Sequence, residues 1–454
     1  MYTEIQLDRM LGKLKRYEEM LEPKLFTVVD TVEMKAFLTD GSHHSVPEES
    51  CFSHCEDGTV FEGEGIYCWF RGGYTVPESL EGKTLFVYPR IKGYEGMLWV
   101  DGKPYGNFAA KFIVHSHGNH YCDMLRQNAR GGEHIDIALE YYANHYIKGT
   151  QPFLVEAQKF YKIVYHPVDI CLKDEELAEF YFDLKVANGM VKALEDKSFR
   201  RADFVRALLE IHSFISYDIE NQDPEVFREE IRRADKILKK VLKENNSSSA
   251  PYAGLIGHSH MDTAWLWHRG ETEKKCARTY ANQMNLMDQY PDYTFVQSSA
   301  YHSDIIKRMY PALFEDMKKR VAEGRYEPNG GVWIECDCNI PSGEYMVRQF
   351  GWGQRFTREN FNYTSDAFWL PDTFGYSASL PQIMQGCRIK YFLTTKMSWN
   401  DTNVFPYDTF YWNGIDGSQV LVHFNRTHVW PDPAALKENL LEKGSNTIQE
   451  RAVS

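Results

Sequence analysis

The sequence predicts a chain of several domains: an N-terminal β-sandwich, a helical linker, and a C-terminal α/β domain on a parallel sheet that is open or curled into a barrel. Three observations carry this expectation. Residues 25–168 hold short β-branched and aromatic runs separated by turns rich in Gly, Pro and Asp. Residues 169–249 turn to helical spacing. From residue 250 onward, apolar strand-like runs alternate with helical segments, which is the pattern of a parallel sheet joined by helical crossovers. A length of 454 residues exceeds one typical core and agrees with two or three domains.

Residues 1–24 read as a lead-in helix, with Ile5, Met10 and Leu14 at helical spacing. In the sandwich segment 25–168, residues 84–89, 97–100 and 134–140 are strand-like. Asp101-Gly102 between Trp99 and Tyr105 marks a hairpin tip. Packing against the next domain is the expected job of this sandwich, with sugar binding as the other reading. In 169–249, Phe227, Ile231, Ala234, Leu238 and Val241 form one stripe after the start signal Asp223-Pro224, and the polar run 245–249 reads as a hinge. Between 250 and 430, strands are expected at 253–257, 293–298, 331–335, 366–370, 390–395 and 419–424. Helices are expected at 303–323 and 343–360, and a helix after Trp267 runs through Met284. Residues 431–454 form a tail.

With 43% hydrophobic and 25% charged residues, the composition is that of a globular protein. A net charge of −13 without a long basic run argues against nucleic acid as a partner. The first residues lack a basic region followed by an apolar one, and no run approaches a membrane span, so neither export nor membrane association is expected. Nine cysteines without the density of a disulfide scaffold suit a reducing compartment, and the expected location is cytoplasmic.

Chemistry gathers at strand ends. In Gly-His258-Ser-His260-Met-Asp262-Thr-Ala-Trp265, two histidines and a carboxylate alternate after a short apolar run, so in an extended chain they share one face. Nitrogen and oxygen donors two residues apart make half of a metal site suited to zinc. Taken alone, the same residues read first as hydrogen-bonded histidines with Asp262 capping the next helix, and only second as ligands. After the expected strand 366–370 comes Leu-Pro371-Asp372-Thr-Phe374-Gly375, which sets a carboxylate on a tight bend at the sheet's C-terminal rim or, again, at a helix N-cap.

Together these segments resemble glycoside hydrolase family 38, the retaining α-mannosidases with a seven-membered α/β barrel and one zinc ion. The resemblance covers residues 250 to about 430, through His258-Ser-His260-Met-Asp262 with Trp265, the run from Pro328 through Trp333 and Glu335 to Glu344, Leu-Pro-Asp372-Thr-Phe-Gly, and Thr-Thr-Lys396-Met-Ser-Trp399-Asn400. Their form, with a β-rich domain ahead, is closest to the cytosolic and bacterial branch.

The resemblance implies roles by position. His260, Asp262 and Asp372 match ligands of a Zn2+ ion, for which Co2+ could substitute, and Asp372 also matches the nucleophile. Trp265 matches the aromatic beneath the mannose ring, and Lys396 a cationic residue beside the sugar. His258 is read as support for the ligands. The implied substrate is an α-mannoside oligosaccharide with terminal α-linked mannose. Family members continue past this point with a further histidine ligand and the usual acid/base carboxylate. Glu335, Asp337 and Glu344 could stand in for that acid, though loop ordering is the preferred reading, and the ligand role for His423 or His428 is a minor one. The chain alone is therefore expected to be weak or inactive, and the seven-stranded-type β/α barrel incomplete. Its strand edges and apolar surface would be left uncovered unless another chain or a disordered form accepts them, with a homo-oligomer as one form. The other function class in view is a non-catalytic carbohydrate-binding or assembly fragment.

Overall fold

The computed structural model describes residues 3–41, 43–109, 122–144, 161–244, 254–265, 267–403, 405–424 and 432–438, and the backbone of 447–453. The chain forms two compact units. One comprises Met1–Val28, Cys171–Leu255 and His428–Ser445; the other comprises Val29–Ile170, Ile256–Thr427 and Asn446–Ser454. The polar run 245–249 and His428 lie outside the described residues.

The first unit is helical. Glu4–Leu21 begins with a capping box, in which the Thr3 hydroxyl accepts from Gln6 N–H while the Gln6 side chain takes the Thr3 N–H. Its buried face is Leu7, Met10, Leu11, Leu14, Tyr17 and Leu21, whereas Ile5 points to solvent. This face shares a core with Glu175–Ala193, Phe199–Phe214 and Pro224–Leu242. In the last of these, Ile231, Ala234, Leu238 and Val241 are buried and Phe227 packs at their edge. Asp223 Oδ1 accepts from the N–H groups of Glu225 and Val226, with Pro224 in the first turn.

The second unit begins with β-structure. A six-stranded antiparallel sheet has the spatial order 53–54, 35–39, 67–75, 134–142, 95–100 and 103–109. Strands 26–32, 168–173, 85–89 and 123–126 form a four-stranded sheet. The expected hairpin is present. Asp101 and Gly102 have φ of 51° and 76°, the left-handed pair that a two-residue turn between right-twisted strands requires. Helix Arg269–Gln289 lies on the six-stranded sheet, so Trp69, Met97, Trp99 and Ala138 share a core with Cys276, Ala277, Tyr280 and Met284. The central strands are consequently buried on both faces instead of alternating in and out.

That core also encloses charge. Lys274 Nζ, fully buried, lies 2.6 Å from Glu140 Oε1, donates to the His43 carbonyl, and sits 5.7 Å from the ring centroids of Tyr67 and of Trp69. Nearby, Arg278 pairs with Glu271 and Glu95, and the Tyr67 hydroxyl donates to Glu271 at 2.5 Å.

The remainder is a mixed sheet-and-helix region. Gly257–His258, Phe295–Val296 and Tyr326–Glu327 form a parallel three-stranded sheet. A five-stranded sheet has the order 367–370, 391–394, 419–424, 409–413 and 447–453. Among the described residues these sheets do not close into a barrel. The second is not purely parallel, because 409–413 and 419–424 are antiparallel neighbours around a turn in which Gly417 has φ 86°.

Several expected elements differ. Of the strand expected at 253–257, Gly257 alone lies in one, the short Gly257–His258, and 254–256 are outside it. Residues 331–335 are not a strand: the strand lies earlier, at Tyr326–Glu327, and after the Gly330-Gly331 pair, with Gly331 at φ 72°, only an isolated parallel bridge from Val332 to Ser299 remains. The N–H groups of Trp333 and Ile334 then go to the carbonyl and side chain of Gln349. The helix expected over 303–323 is two helices, Ala300–Met309 and Pro311–Ala322, because Pro311 removes a donor and clashes with the preceding turn. Helix Gly343–Phe361 begins at a Ser342 cap. No helix among the described residues is long and apolar enough to cross a membrane.

Candidate active site

His260, Asp262 and Asp372 come together although 110 residues of sequence separate the last two. Each offers one ligand atom, and these atoms lie within 4.8 Å of one another. His260 and Asp262 sit on the loop between the short strand Gly257–His258 and helix Arg269–Gln289. Asp372 follows the strand Ala367–Leu370. Its bend depends on Gly375, whose φ is 132° and where a Cβ would overlap the Asn339 side-chain amide. The helix-capping alternatives do not hold: His268 occupies the N-cap of Arg269–Gln289, and Ser379 that of Leu380–Gly386.

The His260 ring divides its two nitrogens between different partners. Nδ1 lies 2.7 Å from Glu335 Oε2, while Nε2 faces Asp372 Oδ2 at 3.2 Å and Asp262 Oδ1 at 3.7 Å. Nε2 is buried yet has no partner in hydrogen-bond geometry, and the same is true of Asp372 Oδ1. Lys396 Nζ is 3.1 Å from that oxygen, close enough for an ion pair but not aligned as a hydrogen bond. Burial by itself would lower the His260 pKa, but the Asp262 and Glu335 carboxylates outweigh it and push it up to about 10. One imidazole nitrogen and two carboxylates facing a common point, with orphaned acceptor atoms, fit a divalent ion with mixed nitrogen and oxygen preference.

His258 does not join this group. Its Nε2 is 3.4 Å from Ser298 Oγ, and its ring packs against Trp369 at 5.2 Å. Burial and then the charge of His260 bring its pKa down to about 4, so it is neutral. His302, which sequence reasoning missed, lies beneath the loop. It is held neutral in the same way and meets Thr263 Oγ1 at 3.1 Å and Gln297 Nε2 at 3.2 Å.

Lys396, in the 3-10 turn Lys396–Trp399, is largely buried. Its ammonium lies 3.6 Å from the Trp399 ring centroid and 5.2 Å from that of Phe374. Phe374 and Trp399 are exposed and meet edge to face at 5.8 Å, so two aromatic rings border the Asp372 carboxylate. They are aromatics just past strand ends, which was the available sequence signal. Trp265 is exposed near Asp262, with its ring 5.6 Å from Trp267.

The candidate acids have other employment. Glu335 is buried, and its second oxygen accepts from the Ser298 hydroxyl. Asp337 Oδ1 accepts from the N–H groups of Asn339 and Ile340, and Glu344 pairs with Arg348 along its helix. All three order local structure. His423 Nδ1 pairs across the sheet with Thr409 Oγ1 at 2.9 Å.

Residues 252–453 match the family model described as Glycosyl hydrolases family 38 N-terminal domain, a match that extends past residue 430, where the sequence resemblance fades. Alpha-mannosidase G of Dictyostelium discoideum is 34% identical over 396 residues, covering 84% of this chain and 34% of that protein. Alpha-mannosidase 2C1 of Homo sapiens is 33% identical over 454 residues, covering 97% and 42% respectively. The alpha-mannosidase of Saccharomyces cerevisiae is 44% identical over 185 residues, 40% of this chain and 17% of that protein. The chain thus spans 34% and 42% of the length of the first two relatives. A solved alpha-mannosidase from Enterococcus faecalis V583 aligns with a TM-score of 0.36 at 19% identity, over 44% of this chain and 24% of that one. With its motifs matched over residues 252–453 and its similarity to alpha-mannosidases running along most of its length, the chain belongs to glycosyl hydrolases family 38.

Proposed function

We propose that this chain carries the metal-dependent mannose site of a retaining α-mannosidase acting on terminal α-linked mannose of oligosaccharides. The observation that supports this most directly is the meeting of His260, Asp262 and Asp372 with two buried atoms, His260 Nε2 and Asp372 Oδ1, lacking hydrogen-bond partners. In this reading the three side chains hold zinc, with cobalt as a working substitute. When bound, the ion supplies Lewis acidity and a template for the sugar hydroxyls. Asp372 is also the nucleophile: its carboxylate forms a bond to the anomeric carbon as the bond to the leaving oxygen breaks. Water then cleaves the glycosyl ester with net retention. Trp265 offers a ring face to the sugar, and Lys396 sets a positive charge beside the reacting carboxylate. Because Glu335, Asp337 and Glu344 are engaged locally, proton delivery to the leaving oxygen is weak, and turnover of ordinary mannosides by this chain is weak or absent. We further read the two α/β sheets as parts of one seven-stranded-type barrel wall, and the nine cysteines, too sparse for a disulfide scaffold, as a sign of a cytoplasmic location.

A fluorinated mannosyl fluoride tests the site without needing an acid, since fluoride departs unaided. The 454-residue chain with zinc is expected to gain one fluoromannosyl group on the peptide containing Asp372, and a chelator or Asp372→Ala should prevent it. Labelling that persists in Asp372→Ala would sink the assignment. Mannose binding with no adduct in either protein would favour a carbohydrate-binding module.

A further inference from the structure

We infer that Glu335 is the positioning residue of the candidate metal centre: its buried carboxylate fixes the tautomer and orientation of His260 so that Nε2 presents its lone pair toward Asp262 and Asp372. This rests on the reading that His260 ligates an ion. The geometry behind it is independent of that reading. Glu335 Oε2 lies 2.7 Å from His260 Nδ1, on the side of the ring away from the two aspartates. A carboxylate there can only accept, so once a cation displaces the Nε2 proton the ring proton that remains is the one on Nδ1, and Nε2 is the nitrogen given to the ion.

Glu335 is itself held in place. Its Oε1 accepts from the Ser298 hydroxyl, and Ser298 Oγ lies 3.4 Å from His258 Nε2. His258 therefore acts through Ser298 and Glu335 on His260. The backbone supports the same arrangement. Gly330 passes so close to Ser298 that a Cβ would overlap the Ser298 carbonyl. Tyr301 N–H donates to the Trp333 carbonyl at 2.7 Å, and Trp333 N–H to that of Gln349 at 2.9 Å. A loop tied on both sides presents one buried carboxylate to one imidazole nitrogen. Outer partners of this kind raise the basicity of a ligating histidine, and their loss typically costs about 10- to 100-fold in metal affinity. The same engagement explains why Glu335 does not serve as proton donor to a leaving group, since both its oxygens are committed away from the cluster.

The test is Zn2+ and Co2+ affinity of the 454-residue chain by competition with a chromophoric chelator, alongside 15N shifts of selectively labelled histidine. Glu335→Ala is expected to weaken binding about 10- to 100-fold and, in the zinc-loaded chain, to shift the His260 signals away from those of an Nε2-bound, Nδ1–H ring. Glu335→Gln, which keeps an acceptor but not the charge, should fall between that variant and the parent. His260→Ala and Asp372→Ala separate the two levels. If neither changes metal affinity, the metal-site reading fails. If both do while Glu335→Ala and Glu335→Gln bind within twofold of the parent and keep its histidine shifts, the positioning role alone is overturned. Should Glu335→Ala fail to fold, Glu335→Gln decides the question on the same readouts.

Discussion

Replacing Lys274 by Met should destabilise the second unit by about 3 kcal/mol at pH 7, and the loss should shrink as pH falls. Lys274 and Glu140 are both fully buried and 2.6 Å apart. With an effective dielectric of about 20 their gross attraction is roughly 6 kcal/mol, most of which offsets the desolvation of two ions. The consequence of Lys274→Met is set by what Glu140 does next. Burial already pushes its pKa up against the pull of Lys274, and its Oε2 has no hydrogen-bond partner. Left alone, the carboxyl takes up a proton. Starting from an ordinary value of 4.5, neutralising it at pH 7 costs 1.36 × (7 − 4.5), or about 3.4 kcal/mol, and at pH 5 only about 0.7 kcal/mol. The sign follows: a carboxyl protonated when folded and ionised when unfolded loses stability as pH rises. Lys274→Met/Glu140→Leu should recover most of the loss, because two apolar side chains replace the pair. Urea unfolding followed by tryptophan fluorescence is the assay, since Trp69 and Trp99 are buried, 5.5 Å apart, and Trp69 lies beneath the ammonium. A single-variant loss under 1 kcal/mol, or one unchanged between pH 5 and pH 7, refutes the reasoning.

Other expectations follow from named contacts. Gly330→Ala should cost about 1–3 kcal/mol in urea unfolding, because its Cβ would press on the Ser298 carbonyl, and should weaken Zn2+ binding in parallel; retained affinity would detach the loop from the site. In the helical unit, Asp174 caps Glu175–Ala193 through Leu177 N–H and pairs with Arg228. Burial tends to raise its pKa, but those two contacts hold it below the usual range, so its contribution is present above about pH 4 and is lost as pH falls further. Asp174→Ala should lower stability by about 1 kcal/mol at pH 7 and by less at pH 3, checked by circular dichroism.

The pieces of the site that could be read from the sequence were those whose residue types are unusual in context. Two histidines and an aspartate at alternate positions after an apolar run, and an aspartate between proline and a glycine bend, stand out without coordinates. Glu335 does not, because its partner is 75 positions away and a glutamate in a loop is ordinary. The run Val332-Trp333-Ile334 has strand composition, yet after two glycines it keeps only one bridge, Val332 to Ser299, and gives the next two N–H groups to Gln349. Thr409–Asn413 lies outside the strands expected from the sequence, although its composition and the Gly-Ile-Asp-Gly turn after it suit one, and it does pair, antiparallel to 419–424. Local preference was the same in both; long-range hydrogen bonding decided. Pro311 announced the break between two helices in the sequence itself, but the apolar period continues across it and reads as one. The burial of the six-stranded sheet on both faces was hidden because it depends on helix Arg269–Gln289, which is more than a hundred residues downstream of its central strands.

His260 and Asp262 leave the three-stranded sheet, and Asp372 leaves the five-stranded one. Any cation bridging them would act as a rivet between two separately hydrogen-bonded layers, so part of its binding free energy would go into cohesion. Occupancy and rigidity would then rise and fall together, and any ligand of the site would meet a firm seat only in the loaded molecule.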